Sequence, residues 1–226
     1  VRLAAEDNAG VLTEAAALLD PDEKSKVVSS IAALSQAGKV GIESLSLSYR
    51  ALFGYTARGN IPPYETEYGH EGLFQQPQEL SDLMGFYHAF GLALKEGQHE
   101  RPDHISCECE FLSFLALKEA YALEHNDPDM WAETCKAQKL FLRDHLGRFV
   151  PTFAQTVGQH DRGGFYGKLA DLSLDLVRLE SLRLDVPLGA MNLSLRPADD
   201  DRVPMACGSG TECTAMPGAC SPEEAD

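Results

Sequence analysis

Apolar residues recur along this chain at intervals of three and four, the spacing that gathers side chains on one face of an α-helix. Residues 8–19 are rich in Ala and Leu and read as a first helix, stopped by Asp20-Pro21. Val27, Val28, Ile31 and Leu34 carry a second helix over 22–37, broken by Gly38 and Gly41. A third segment, from about Ile42 to Phe53, holds Leu45, Leu47, Tyr49 and Leu52. Its alternation from Leu45 to Tyr49 could pass for a strand. No second strand is there to pair with it, and a lone strand leaves its backbone groups unpaired, so a helix is expected. Leu80, Leu83, Met84, Tyr87, Phe90 and Leu94 put a wide apolar face on a helix over 78–96. Pro102-Asp103 opens a central helix that reaches about His125, with Asp103 as its cap, and a further helix follows over 128–145. Gly147 and Pro151 mark a bend and a short segment to about Gly158, and Phe165, Leu169, Leu172, Leu176 and Leu179 carry a last helix over 165–183. The expected fold is all-α: a single helical-bundle-like domain of about eight helices over residues 1–186.

Two stretches escape the helical period. Residues 54–77 contain Pro62, Pro63 and Pro77 among several Gly, which excludes a continuous helix. A loop of that length in a compact domain is more often functional than passive. From Pro187 the pattern fades, and residues 198–226 hold seven acids (Asp199, Asp200, Asp201, Glu212, Glu223, Glu224, Asp226) against Arg202, a net −6 with little to bury. A flexible, disordered acidic tail over 187–226 is therefore expected.

The charge balance narrows the partners. Nineteen Lys and Arg stand against 35 Asp and Glu in 226 residues, a net charge of −16. So acidic a chain repels phosphate backbones and anionic membrane surfaces and attracts basic peptides. No apolar run approaches the roughly 18 residues of a membrane span. The first residues, Val1-Arg-Leu-Ala-Ala-Glu-Asp7, have acids where a signal peptide carries bases, so a cytoplasmic protein is expected. Its six Cys then read as free thiols.

Candidate chemistry concentrates in Arg101-Pro-Asp-His-Ile-Ser-Cys-Glu-Cys-Glu-Phe111. His104 and Glu108 stand at i,i+4 and share a helix face that continues into Phe111 and Leu115, whereas Cys107 and Cys109 lie about 200° apart on a helix and cannot close on one metal ion. One reading makes Asp103 a cap and His104–Glu108 a local ion pair. The other makes the cluster a recognition surface bordering the core. The loop Pro62-Pro-Tyr-Glu-Thr-Glu-Tyr-Gly69 offers Tyr64, Glu65, Glu67 and Tyr68, whose aromatic faces and carboxylates suit an arginine. No nucleophile elbow and no phosphate-binding glycine loop is present, so no catalytic residue is assigned. Cys207, Cys213 and Cys220 in the tail leave open an alternative: a metal-binding or redox protein.

Four segments together resemble the TorD/DmsD/NarJ family of redox-enzyme maturation proteins: Tyr49-Arg-Ala-Leu-Phe-Gly54, Pro62-Pro-Tyr-Glu-Thr-Glu-Tyr-Gly69, Arg101-Pro-Asp-His104 with Glu108-Cys-Glu-Phe111, and Phe141-Leu-Arg-Asp-His-Leu-Gly-Arg-Phe149. The resemblance covers roughly residues 40–185 in order, with an apolar residue usual where this chain has Cys109. It implies an all-α chaperone without catalysis or cofactor of its own, monomeric or homodimeric. Its partner would be the apo catalytic subunit of a molybdenum oxidoreductase, or that subunit's twin-arginine leader, held until the cofactor is inserted. The Pro-Asp-His segment tied to leader binding maps onto Pro102, Asp103 and His104, and the full expected surface is Tyr64, Glu65, Glu67, Tyr68, Tyr87, Arg101, Pro102, Asp103, His104 and Glu108.

Overall fold

The computed structural model describes residues 6–19, 21–54, 59–69, 75–94 and 100–197. Among the described residues eight α-helices follow one another: α1 (Glu6–Ala16), α2 (Pro21–Ala37), α3 (Ile42–Phe53), α4 (Gln75–Ala89), α5 (Ile105–Glu124), α6 (Pro128–Asp144), α7 (Leu146–His160) and α8 (Phe165–Leu184). Among the described residues between α3 and α4 lies a 3-10 turn, Glu65–Glu67. Among the described residues extended backbone is limited to isolated bridges. The all-α expectation holds. Pro21 opens α2 instead of only closing α1, as suits a residue whose fixed φ fits the first helical position and whose missing N–H has no helical partner there anyway. Asp127 caps α6 by accepting from the Met130 N–H at 2.9 Å, with Pro128 next to it in the first turn.

Two apolar clusters hold the helices. The larger has Phe111 at its centre, with Phe141 edge-on at 4.8 Å, Tyr87 at 5.0 Å and Phe90 at 5.7 Å, so α4, α5 and α6 meet on one ring. Leu83, Leu115, Phe149 and Val150 complete it from α4, α5 and α7. The smaller cluster seats the α1–α2 pair on α8 through Val27, Ile31, Leu34, Phe165 and Leu172.

Three expectations change. The bend foreseen at Pro151 is instead the interior of α7, which runs unbroken from Leu146 to His160. Proline removes one helical hydrogen bond and leaves a carbonyl one turn earlier without its donor. That carbonyl, Gly147 O, accepts the Gly189 N–H at 3.0 Å. Residue 189 belongs to the stretch expected in the tail. Residues 187–196 lie along α7 and the 62–69 loop: Thr152 Oγ1 donates to Ala190 O at 2.8 Å and accepts the Leu193 N–H, and Arg196 is buried. The compact unit accordingly extends to Arg196, not to 186. The hold is made by backbone groups, the Thr152 and Ser194 hydroxyls and one guanidinium, with Leu188 and Leu193 packed on the core, and it carries no helical period for the sequence to show. Finally, α4 begins at Gln75 and the loop before it is correspondingly shorter; Pro77 sits in the first turn, where its missing N–H does no harm. The three tail cysteines lie outside the described residues.

Candidate functional site

The Tyr-Glu loop and the Pro-Asp-His segment meet. Tyr64 and His104 form an antiparallel bridge, with the Glu65 N–H donating to Asp103 O at 2.9 Å and the Ile105 N–H to Pro63 O at 2.9 Å. Above the bridge the Tyr64 and His104 rings meet edge to face, 5.4 Å between centroids.

Asp103 is the centre of this junction and does not cap α5. Its side chain is fully buried. Oδ2 accepts the Thr66 N–H at 3.2 Å and the Thr66 hydroxyl at 2.7 Å, and Arg101 grips both oxygens, Nε to Oδ1 at 3.0 Å and NH2 to Oδ2 at 2.7 Å. Arg101 also reaches Glu67 at 3.1 Å and lies over the Tyr64 ring at 4.4 Å. The motif therefore contains its own arginine, already stacked on a tyrosine and forked onto a carboxylate. Tyr64 OH donates to Glu100 at 3.1 Å; burial, then the Glu100 charge, push the phenol up to about 12.

The cap of α5 is His104, whose Nδ1 accepts the Ser106 N–H at 3.1 Å. An accepting Nδ1 places the ring proton on Nε2, which is buried and meets no acceptor. Burial holds the imidazole pKa below its usual range, against the pull of Glu100 and Asp103. The i,i+4 partner expected for it, Glu108, does not pair with it: Glu108 is fully buried and neither of its oxygens has a hydrogen-bond partner. Burial, with the charges of Glu65 and Asp103 nearby, raises the Glu108 carboxyl well above the carboxylate range, Arg148 pulling the other way.

Glu65 is fully buried too, but fully used. Arg148 donates to Oε1 from Nε at 3.2 Å and NH2 at 2.7 Å, and His145 Nδ1 to Oε2 at 3.0 Å. Arg148 NH2 stands 3.7 Å from Glu79, which in turn takes both ends of Arg196; Arg196 also donates to the Thr66 carbonyl at 2.6 Å. Tyr68 and Tyr87 are buried with their hydroxyls on the Pro62 and Pro102 carbonyls, both at 2.9 Å.

Of the ten residues expected at the surface, Tyr64, Glu67, Arg101, Pro102 and His104 keep some exposure, while Glu65, Tyr68, Tyr87, Asp103 and Glu108 are buried. Thr66, Glu79, His145, Arg148 and Arg196 complete the network and escaped the sequence reading. His145 and Arg148 stood in a quoted segment but read as a helix end; Arg196 stood in the presumed tail.

Beside the junction the surface opens into a groove of about 450 Å³ between the end of α4, residues 92–94 and the first turns of α5. Tyr87, Leu92, Phe111 and Phe114 make its apolar floor, Cys107 contributes a thiol, and the carboxylates of Glu100 and Glu110 stand at it. Leu94, Leu117 and Tyr121 are exposed apolar residues, the latter two continuing the α5 stripe beyond Phe114 at helical spacing. On the far face of α4 is a shallower cleft of about 720 Å³ with Glu79, Asp82, Phe86, Asp144 and Arg148. Among the described residues no group of His, Cys, Asp and Glu is placed to hold a metal ion, and no helix is long and apolar enough to cross a membrane.

A family model described as nitrate reductase delta subunit matches residues 7–155. The chain is 29% identical over 143 residues to the chaperone protein TorD of Vibrio cholerae, covering 62% of each. It is 33% identical over 124 residues to the chlorate reductase assembly chaperone protein of Ideonella dechloratans, covering 51% of this chain and 58% of that one. It is 30% identical over 125 residues to the selenate reductase assembly chaperone protein of Thauera selenatis, covering 53% and 60%. The match thus spans about three fifths of the length of these relatives.

Proposed function

The chain belongs to the nitrate reductase delta subunit family, and on that premise we propose that it is an assembly chaperone, not an enzyme. It binds the apo catalytic subunit of a molybdenum-cofactor oxidoreductase, or that subunit's N-terminal leader, in the cytoplasm before the enzyme is completed. The observation that carries this reading is the groove beside the Tyr64–His104 junction, with its aromatic floor and the carboxylates of Glu100 and Glu110. A leader with basic residues next to an apolar run matches it: the apolar part lies on Phe111, Phe114 and Leu94, and the basic part faces Glu100, Glu110 and Glu67. The buried carboxylates act one step back. Asp103 and Glu65 fix the turn that presents Tyr64, and Arg101 lies between them and the client.

Affinity purification of the chain from its native cells should recover one large apoenzyme, and calorimetry with that enzyme's leader peptide should show direct binding. Phe114→Glu, at a half-exposed groove position, should abolish capture while leaving the thermal transition in place. Capture unchanged by this substitution would remove the groove from the proposal, and recovery of no oxidoreductase subunit would remove the client class.

A further inference from the structure

Glu108 is not used by the reading above. It is fully buried in the first turn of α5, and no donor meets either of its oxygens. Buried carboxyls in folded proteins are normally hydrogen-bonded, so one with no partner is stored as the neutral acid. Titratable and charged groups act on it from several elements: Glu65 from the 3-10 turn, Asp103 from the bridge, Arg148 from α7, Tyr87 from α4, and Cys107 and Cys109 from its own helix. His145, also from the start of α7, occupies the second oxygen of Glu65. Arg148 is a cation in electrostatic reach of both Glu65 and Glu108. Here it sits on Glu65, at 2.7 Å.

We propose that Glu65 and Glu108 are alternative seats for the Arg148 guanidinium, and that a proton on Glu108 decides between them. With Glu108 protonated, Arg148 stays on Glu65 and pins the Glu65–Glu67 turn against Asp103. When Glu108 gives its proton to solvent, its anion needs a counter-charge and draws Arg148 across. Glu65 then keeps His145 alone, and the turn, with Tyr64 on it, loosens from the Arg101–His104 segment. Tyr64 donates to Glu100, which lines the client groove, so the exchange would release that carboxylate at the groove; that last step rests on the proposed chaperone function, and the exchange itself does not.

The sign follows from the raised Glu108 carboxyl. A group whose folded pKa lies above its unfolded one stabilises the fold fully below the usual glutamate value, about 4.3, and that stabilisation is lost as pH rises toward the folded value. The turn should therefore loosen on the alkaline side.

The test is carboxyl-carbon NMR of Glu108 in the full chain, together with amide hydrogen exchange at Glu65, Thr66, Glu67 and Tyr68, corrected for intrinsic rates, from about pH 5 to about pH 8. Glu108 should titrate well above an ordinary glutamate. The four amides should lose at least about tenfold of their protection around the same midpoint, the factor carried by one pKa unit. In Glu108→Gln, neutral at every pH, their protection should stay level. An ordinary Glu108 titration, or amide protection that follows one course in both proteins, overturns the exchange. Should the Gln variant not fold, failure of the wild-type amide and carboxyl midpoints to coincide would overturn it equally. A chain that shows the exchange but binds leader peptide at no pH would refute the chaperone reading and leave the exchange standing.

Discussion

Asp103→Ala is the substitution whose outcome best separates a client contact from a structural residue. In the wild-type protein the carboxylate accepts the Thr66 N–H, the Thr66 hydroxyl and two Arg101 nitrogens, all with no exposed surface of its own. Removing one partner of a buried ion pair destabilises by about 3–5 kcal/mol. Arg101, at 40% side-chain exposure, regains water once released and lowers that figure. Thr66, with no exposure, cannot regain water, and its stranded N–H alone is worth about 1–3 kcal/mol. The expected loss is therefore close to 3 kcal/mol, a lowering of the midpoint by about 6–12 °C in a domain of this size. Circular dichroism melts and urea titration measure it. Weakened client binding should accompany the lowered midpoint, because the Glu65–Glu67 turn loses its anchor. A variant that melts within about 2 °C of wild type yet no longer binds client would show that Asp103 touches the client directly and that the packing argument is wrong.

Other consequences can be measured on the same preparation. Gly189→Val should destabilise by about 1–3 kcal/mol, because a Cβ at 189 meets the Arg148 backbone; an unchanged melt would mean that residues 187–196 do not hold α7. Acidification from pH 7 should lower the midpoint as His104 is forced to take a second proton, since a folded pKa below the usual value, about 6.5, gives stability that is present above that value and lost as pH falls. His104→Asn, which retains a capping acceptor, should flatten that slope, and an equally steep acid limb in the variant would assign it elsewhere. Leader binding should weaken as salt rises, and Glu110→Lys should weaken it further at low salt than at high; affinity indifferent to both would leave the groove carboxylates without a role.

Helices were legible wherever a face had to be buried. The Val27–Ile31–Leu34 and Leu83–Tyr87–Phe90 spacings give α2 and α4 because one stripe of each packs on a neighbour. The α3 decision against a strand needed only the absence of a second strand. Pro151 misled because the rule that proline ends helices describes a lone helix; here the abandoned carbonyl of Gly147 finds a donor 42 positions further along, from Gly189. The site was legible as a set of segments but not in its polarity. Asp103, His104 and Glu108 look interchangeable as polar residues at a helix start, and only tertiary packing decides that the first anchors a turn, the second caps the helix and the third has no partner at all. The aromatic faces and carboxylates of the 62–69 loop were expected to suit a partner's arginine, and in the free chain Arg101 lies over Tyr64 and pairs with Glu67.

The crossing of residues 187–196 over α7 also imposes an order of events during synthesis. Arg196 donates to the Thr66 carbonyl and to Glu79, and its N–H to the Glu67 carbonyl. A nascent chain can pair α5 with α6 and α7 with α8 from near neighbours, but the loop bearing Tyr64 must wait some 130 residues for the guanidinium that closes it. The Tyr64 loop is therefore closed only after all eight described helices have been made, and its maturation follows theirs.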